Sequence, residues 1–533
     1  MLPGPTALRR NLMDAQAAPT TAAPDAASPH HPAGPGPGAG ASAAPGAAAT
    51  LLTVGLGTLL TLMAFTAPAT TLADTAHGLH SGAVAQTWML TGTPVGLAAL
   101  LLTMGSVADA RGRRRTFGAG AVLLVLATAL SAAAPGTAVF LAGRILQGVA
   151  SAAVLAAGLG LIADTHPAGR HRVRALGVWG ATVGGGIAVG PVYAAVLTQV
   201  WGWRSLYWGL ALLAVPVAAL TAAVPESRAA HTRRLDLAGA VTLGAGTAAL
   251  VAGFGESRGG WLRPAVLIPL AAAVVVLAVF AAVERRVAEP MLDPALWRSP
   301  TFLAAGVGAL TTGLAVVGLF SYLPTMVQGV LGTGAIATSL LFVVWSGVSA
   351  LFALLSRRLA PHMGADTQAA LGLAISAFGQ GSLYGMHVGG SYGRLFPGLA
   401  VAGVGSGILN AALARLAVAS VPAERSAMGS GANNTARYVG SALGVALTVA
   451  VATAAHGHSP AAALAAGANH AFLLSAAACL AGAAAILLLA RLARRQAAVS
   501  GAATAIAARP VPASSPQQVP PTPASSPGSA RRG

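Results

Sequence analysis

The sequence predicts an all-α integral membrane protein with fourteen transmembrane helices, and three observations lead there. Of 533 residues, 55% are hydrophobic and 8% charged, against the roughly 25% charge of soluble domains; mean hydropathy is +0.71. The apolar residues gather into runs near the ~20 residues that carry a helix across a ~30 Å hydrocarbon core. The arginines fall in every second connection between those runs, as positive-inside sorting requires. A net charge of +18 would suit a nucleic-acid binder, but basic residues scattered through short loops form no continuous basic face, so nucleic acid is excluded as a partner. The lone cysteine, Cys479, sits in an apolar run, which rules out an intramolecular disulfide or a thiolate metal site.

Residues 1–47 are rich in Ala, Pro, Gly and Ser and carry Arg9 and Arg10, with no apolar h-region followed by a cleavage site. They predict a disordered cytoplasmic tail rather than a signal peptide. Fourteen apolar segments follow, near 49–73, 84–105, 116–135, 137–163, 174–199, 204–224, 236–256, 264–283, 301–323, 334–356, 367–388, 395–420, 427–454 and 468–490. From 492 to 533 the chain returns to Pro, Ala and Ser and reads as a second disordered cytoplasmic tail.

One set of connections carries Arg111, Arg113, Arg114 and Arg115, then Arg170, Arg172 and Arg174, then Arg228, Arg233 and Arg234. The same set continues with Arg285, Arg286 and Arg298, then Arg357 and Arg358, Arg425, and finally Arg491, Arg494 and Arg495. The opposite set carries Arg204, Arg258, Arg263 and Arg394. This asymmetry predicts an even number of spans in the cell (plasma) membrane with both termini cytoplasmic. The turn Arg358-Leu-Ala-Pro361-His362-Met-Gly364 is a worn copy of the loop after the second segment, with Pro361 where Asp109 stands. The repeat predicts two six-helix halves, residues 48–224 and 301–491, with two inserted helices and a cytoplasmic linker at 225–300.

The loop Gly105-Ser-Val-Ala-Asp109-Ala-Arg111-Gly112-Arg113-Arg114-Arg115 packs four arginines and one carboxylate between two apolar runs. A charge at the bilayer centre costs at least about 2.5 kcal/mol, so this loop belongs at the membrane edge. Gly105 is expected to let helices approach and Gly112 to permit the tight turn. Asp109 is expected to bond an arginine or a helix N-terminus on the facing half. Sorting alone would need no carboxylate. In the fourth segment, Arg144-Ile-Leu-Gln147-Gly148 puts an arginine about seven residues, or roughly 10 Å, below the outer end. An arginine at that depth faces a cavity or a polar partner, Gln147 among the candidates. The fifth segment holds Gly180, Gly184, Gly185, Gly186, Gly190 and Pro191. Gly186 and Gly190 share a face that allows close backbone contact, and Pro191 removes a helix hydrogen bond. In the thirteenth segment, Asn433-Asn434-Thr-Ala-Arg437 places a second arginine roughly 15 Å into its helix.

These motifs, in this order and in these segments, resemble the major facilitator superfamily, and within it the fourteen-span drug:proton antiporters. Gly105 to Arg114 resembles the superfamily's loop signature, Arg144 to Gly148 its fourth-span signature, and Gly186-x-x-x-Gly190-Pro191 the antiporter signature of exporters. Trp201-Gly-Trp203-Arg204-Ser205 and the stretch from Val421 to Gly444 are similar to the same family. The resemblance covers nearly all of residues 50–490. It implies a major facilitator fold and a conformational gate at Gly105, Asp109, Arg111, Gly112 and Arg113. It further implies coupling or cavity roles for Arg144, Gln147, Arg437, Asn433 and Asn434, and an antiporter helix at Gly186, Gly190 and Pro191. The implied function is secondary active efflux of bulky apolar or amphipathic small molecules, drugs or antibiotics, by proton antiport with alternating access. The partners are then a small-molecule substrate, protons and membrane lipid, with the protein a monomer that needs no cofactor.

One departure stands out: the family usually carries an aspartate in the middle of span 1, where aligning on Ala67-Pro68 puts Leu59. All thirteen acids fall in tails, loops or helix ends; Asp109, Asp164 and Glu256 come nearest to the core. A proton antiporter ordinarily needs a buried carboxylate. The departure keeps open an alternative, a uniporter or importer of an endogenous metabolite. His77, His80, His387, His456, His458 and His470 are expected in outward connections as solvated groups, with no metal site. An enzyme is excluded for want of paired acids or metal-ligand clusters. An ATP-driven pump is excluded because a chain without lysine has no Gly-x-x-x-x-Gly-Lys loop.

Overall fold

The structure, a computed structural model, describes residues 46–166, 170–228, 236–257, 260–287, 294–359, 361–421 and 426–507. Residues 1–45 of the expected tail at 1–47, residues 508–533 of the one at 492–533, and the arginines at 233, 234, 258 and 425 lie outside the described residues. Described residues form helices and no strands. In order they are α1 (Ala47–Thr66), α2 (Pro68–Gly78), α3 (Ala83–Arg111), α4 (Arg113–Ala132), α5 (Thr137–Thr165), α6 (Arg170–Trp201), α7 (Trp203–Leu220), α8 (Leu237–Glu256) and α9 (Pro264–Arg286). There follow α10 (Pro300–Thr311) and α11 (Gly318–Leu331), joined by one π-helical stretch at Thr312–Val317, then α12 (Ala335–Leu355), α13 (Ala365–Gly381), α14 (Leu395–Ala419), α15 (Ser426–Ala454) and α16 (Pro460–Ala507).

Each predicted apolar segment is helical over most of its length. Thirteen described stretches are long and apolar enough to cross a membrane. The fourteenth segment to be matched, α13, has 17 residues, the lower end of what a bilayer needs. The first segment is two helices meeting at Ala67, because Pro68 has no N–H to give; Ala67 itself stays right-handed and donates to Met63 O at 2.8 Å, so the axis carries on. Two boundaries need correction. The eleventh segment ends at Gly381, seven residues early, since Gly385, Gly389 and Gly390 favour turns over helix; Gly385 and Gly389 have positive φ. The last helix runs to Ala507, beyond residue 492 where the tail was expected to begin. The extra turns are Ala-rich, and alanine is the best helix former; the first proline after residue 491 is Pro510.

Packing repeats itself. In the first set of helices, α3 lies on α5, α4 on α5, α1 on α6, and α4 on α7. In the second, α12 lies on α14, α13 on α14, the α10/α11 helix on α15, and α13 on α16. The two sets meet through a crossed pair of interfaces, α3 with α15 and α6 with α12. The inserted hairpin α8/α9 rests through α8 on α3 and α15. Its second helix is outermost: Leu267, Ile268, Val274, Val275 and Val279 of α9 are exposed, as a lipid-facing surface requires. The core of the first set gathers Phe117, Phe140, Leu161, Leu206 and Tyr207, all buried. Phe140 meets Trp203 and Tyr207 edge-on at 5.8 and 5.2 Å between ring centres. Of the two tryptophans at the α6–α7 turn, Trp201 is exposed and Trp203 is buried.

Candidate functional site

Arg144 is wholly buried, one of the largest side chains with no exposure. Among the described residues it has no carboxylate partner. Its Nε donates to Met89 O at 3.0 Å and its Nη1 to Ala64 O at 2.9 Å and to Gln147 Oε1 at 2.5 Å. The amide of Gln147 then donates to Ser131 Oγ at 3.0 Å. One guanidinium therefore ties α1, α3, α4 and α5. Its helix sits close enough to α3 for this because Gly96 and Gly148 face each other: a β-carbon on Gly96 would stand 3.1 Å from Gly148 Cα and collide with Ile145 O. The motif is thus a packing node, with Arg144 Nη2 left without a hydrogen bond.

The glycine face of α6 packs against α1. A β-carbon on Gly186 would come 2.5 Å from Leu59 O, and one on Gly190 would come 2.9 Å from Met63 Cα and 2.6 Å from Thr66 Oγ1. Thr66 and Thr70 of the α1/α2 helix donate to Gly186 O at 3.5 Å and Pro191 O at 3.2 Å, bonds made possible by that approach. Trp179 Nε1 adds a bond to Thr58 Oγ1 at 3.0 Å. Leu59 occupies the very contact where the resemblance implies an acid.

Among the described residues, side-chain hydrogen bonds cross between the sets. Ser346 Oγ of α12 donates to Gly184 O of α6 at 2.9 Å, and Gln328 Nε2 of α11 donates to Thr70 O at 3.0 Å. Tyr438 of α15 meets Phe65 of α1 edge-on, 6.1 Å between centres. Beside it stands Arg437, half-buried. Its Nε is buried with no hydrogen-bond partner, as is Asn433 Oδ1 one turn away. Asn434 turns back on its own helix, donating to Ser430 O at 3.1 Å. Among the described residues, neither asparagine hydrogen-bonds to Arg437. The backbone of α15 at this level is pressed into the π-helical stretch, where a β-carbon on Gly313 would collide with Arg437 O and stand 2.6 Å from Ser441 N.

In the arginine-rich loop, Arg113 is the hub. Its Nε and Nη2 donate to Asp109 Oδ1 at 3.0 and 2.8 Å, and its Nη1 pairs with Asp164. The carboxylate of Asp109 thus meets an arginine of its own set of helices, because Arg113 opens the next helix one turn away. Gly112 has φ of +110°, which a side chain would strain, and a β-carbon there would come 2.7 Å from Glu226 Oε1. That oxygen instead accepts from Arg114 N at 3.0 Å, capping the α4 N-terminus. Arg111 is exposed. Gly105 needs correction as a helix-approach residue, since a β-carbon there meets nothing within 4 Å.

Asp109, Asp164 and Glu256 are not the buried acids. Among the described residues those are Asp236 and Glu284, at 7% and 4% exposure, at the start of α8 and near the end of α9. Asp236 Oδ1 accepts from Gly239 N at 2.7 Å as the cap of α8. A cap signal, Asp before an apolar run, was available in the sequence; burial of Glu284 was not. Arg415, four residues from the end of α14, pairs with Gln368 of α13. Of the outward histidines, His470 lies within α16 and is exposed.

Residues 54–445 match the profile of the Major Facilitator Superfamily. The puromycin resistance protein Pur8 of Streptomyces alboniger is 33% identical over 395 residues, covering 70% of this chain and 77% of its own. The multidrug resistance protein Stp of Mycobacterium tuberculosis is 29% identical over 408 residues, 76% of each chain. The cephamycin export protein CmcT of Amycolatopsis lactamdurans is 31% identical over 388 residues, 70% of this chain and 78% of its own. Among solved structures, a bacterial homologue of the human lysosomal transporter Spinster superposes with a TM-score of 0.60 at 17% identity, covering 84% of this chain and 98% of that one.

Proposed function

Because the chain belongs to the Major Facilitator Superfamily, we infer that it is a secondary active exporter of bulky apolar or amphipathic small molecules, and so a drug or antibiotic efflux protein. The observation that carries this reading is the likeness, over some three quarters of the chain, to proteins named for antibiotic resistance and export. It is a multi-pass membrane protein, a transporter and not an enzyme. Residues 48–224 and 301–491 act as two halves, with 225–300 inserted between them. They rock about the crossed α3/α15 and α6/α12 contacts to expose a midplane site to either side in turn. Both termini lie in the cytoplasm of a plasma-membrane monomer, since the arginine-rich connections face inward.

Proton antiport drives the cycle. The close α1/α6 contact through Gly186 and Gly190 supports this, because two helices packed backbone to backbone transmit motion with little slack. The cluster of Asp109, Arg113 and Asp164 holds the inner ends of α3, α4 and α5 as one body, which makes it the gate's rigid element. Expression in a pump-deficient host is the test: tolerance to amphipathic antibiotics rises, and a protonophore abolishes the rise. Unchanged susceptibility across a broad panel contradicts efflux.

A second reading, uniport or import of an endogenous metabolite, draws on Leu59 in place of a span-1 acid. Uptake into everted vesicles that survives a protonophore would favour it.

A further inference from the structure

We propose that the substrate site is anion-selective, with the Arg437 guanidinium as the group that receives an acidic function of the transported molecule. The inference deepens the transporter reading and rests on it. Charge inside the spans is one-sided. Every described acid lies in a loop, as a helix cap or within four residues of a helix end: Asp74, Asp109, Asp164, Glu226, Asp236, Glu256, Glu284 and Asp366. Deep in the bundle stand Arg144 and Arg437, and they are not alike.

Arg144 is sealed, with no exposure, and two backbone carbonyls and Gln147 take its donors. It contributes positive potential and no reachable contact. Arg437 is half-buried, and among the described residues its side chain makes no hydrogen bond or ion pair; its Nε is buried with nothing to donate to. Asn433, one turn away on the same face, also makes none and is 5% exposed. Tyr438, the next residue, reaches Phe65 of the other set of helices, so Arg437 stands beside the seam between the two. The site lies about 15 Å along α15 from its start, below the depth of lipid headgroups.

A guanidinium kept in the membrane without a counter-ion is a binding offer to a carboxylate, sulfonate or phenolate. A bound anion supplies the missing charge, and the Asn433 amide a second hydrogen bond. A cationic amphiphile meets two like charges and no carboxylate. The predicted substrates are therefore amphipathic anions, with neutral compounds tolerated and cations refused.

The test uses the full chain in phosphatidylcholine nanodiscs, so that no anionic lipid competes, with tryptophan quenching as readout. Fluorescein and rhodamine 6G share a ring system and differ in charge; Nile red is the neutral control. Wild type binds fluorescein in preference to rhodamine 6G. Arg437→Gln weakens fluorescein about tenfold or more while Nile red stays within about twofold, and Arg437→Lys recovers part of the loss. Preference of the wild type for rhodamine 6G, failure to bind fluorescein, unchanged fluorescein affinity in Arg437→Gln, or equal loss of both dyes overturns the proposal. Dye efflux from energised cells is scored separately: Arg437-dependent binding without efflux leaves anion selectivity standing and removes the export reading.

Discussion

Two arginines lie inside the spans, in different surroundings. Arg144 keeps its charge and is held by geometry alone: the carbonyls of Ala64 and Met89 and the Gln147 amide oxygen accept hydrogen bonds from its Nε and Nη1. Replacing it with leucine removes three charge-assisted hydrogen bonds and strands two buried carbonyls. The expected cost is about 3 kcal/mol of stability, read as a lower midpoint of thermal unfolding in detergent. A midpoint equal to wild type would show the node to be dispensable. The depth of Arg144 was legible because counting residues from a loop gives depth. Its partners were not, except Gln147, since backbone acceptors have no letter in the sequence. Gly112 was legible for the same kind of reason: glycine before an arginine run at a helix start signals a turn, and its φ of +110° is the outcome. Gly112→Ala adds about 1–2 kcal/mol of backbone strain and pushes Glu226 off the α4 cap, again read in the unfolding midpoint. Gly105 was misread because the same letter, in the same motif, has open space beside it.

At the scale of elements, the glycine face of α6 sets how near α1 can come. Gly190→Val places side-chain atoms where Met63 Cα and Thr66 Oγ1 already stand, 2.9 and 2.6 Å from the first added carbon. Relief requires the helices to part, at about 1–3 kcal/mol, and loss of the Thr66 and Thr70 bonds. Transport is expected to fail while the protein still inserts, checked by efflux against membrane abundance; full efflux from Gly190→Val would remove the contact from the mechanism. Asp109→Asn unlinks one carboxylate from Arg113 and leaves Asp164 in place, so turnover is expected to fall with substrate affinity kept. Lost affinity in a correctly inserted variant contradicts a gating role. Periodicity and composition placed the helices, because apolar length is a direct physical demand of the bilayer. They placed the ends less well: a helix stops where a turn captures its last carbonyls, and alanine after residue 491 gave α16 no reason to stop.

The whole molecule follows from one constraint, that every backbone group in the hydrocarbon must be satisfied within its own segment. Helices are the result, and short loops then force neighbours in sequence to be neighbours in space. What no local signal conveyed is the crossed contact of α3 with α15 and α6 with α12, which depends on surfaces some hundreds of residues apart in the chain. That contact is where rocking must occur if substrate is to pass. Export coupled to inward proton movement is measured by flux in proteoliposomes with a pH-sensitive dye sealed inside. With a gradient imposed, substrate is predicted to move against its own gradient while protons move the opposite way, and both fluxes collapse together on adding a protonophore. Substrate movement at the same rate with and without the gradient, and no proton counterflow, would contradict it.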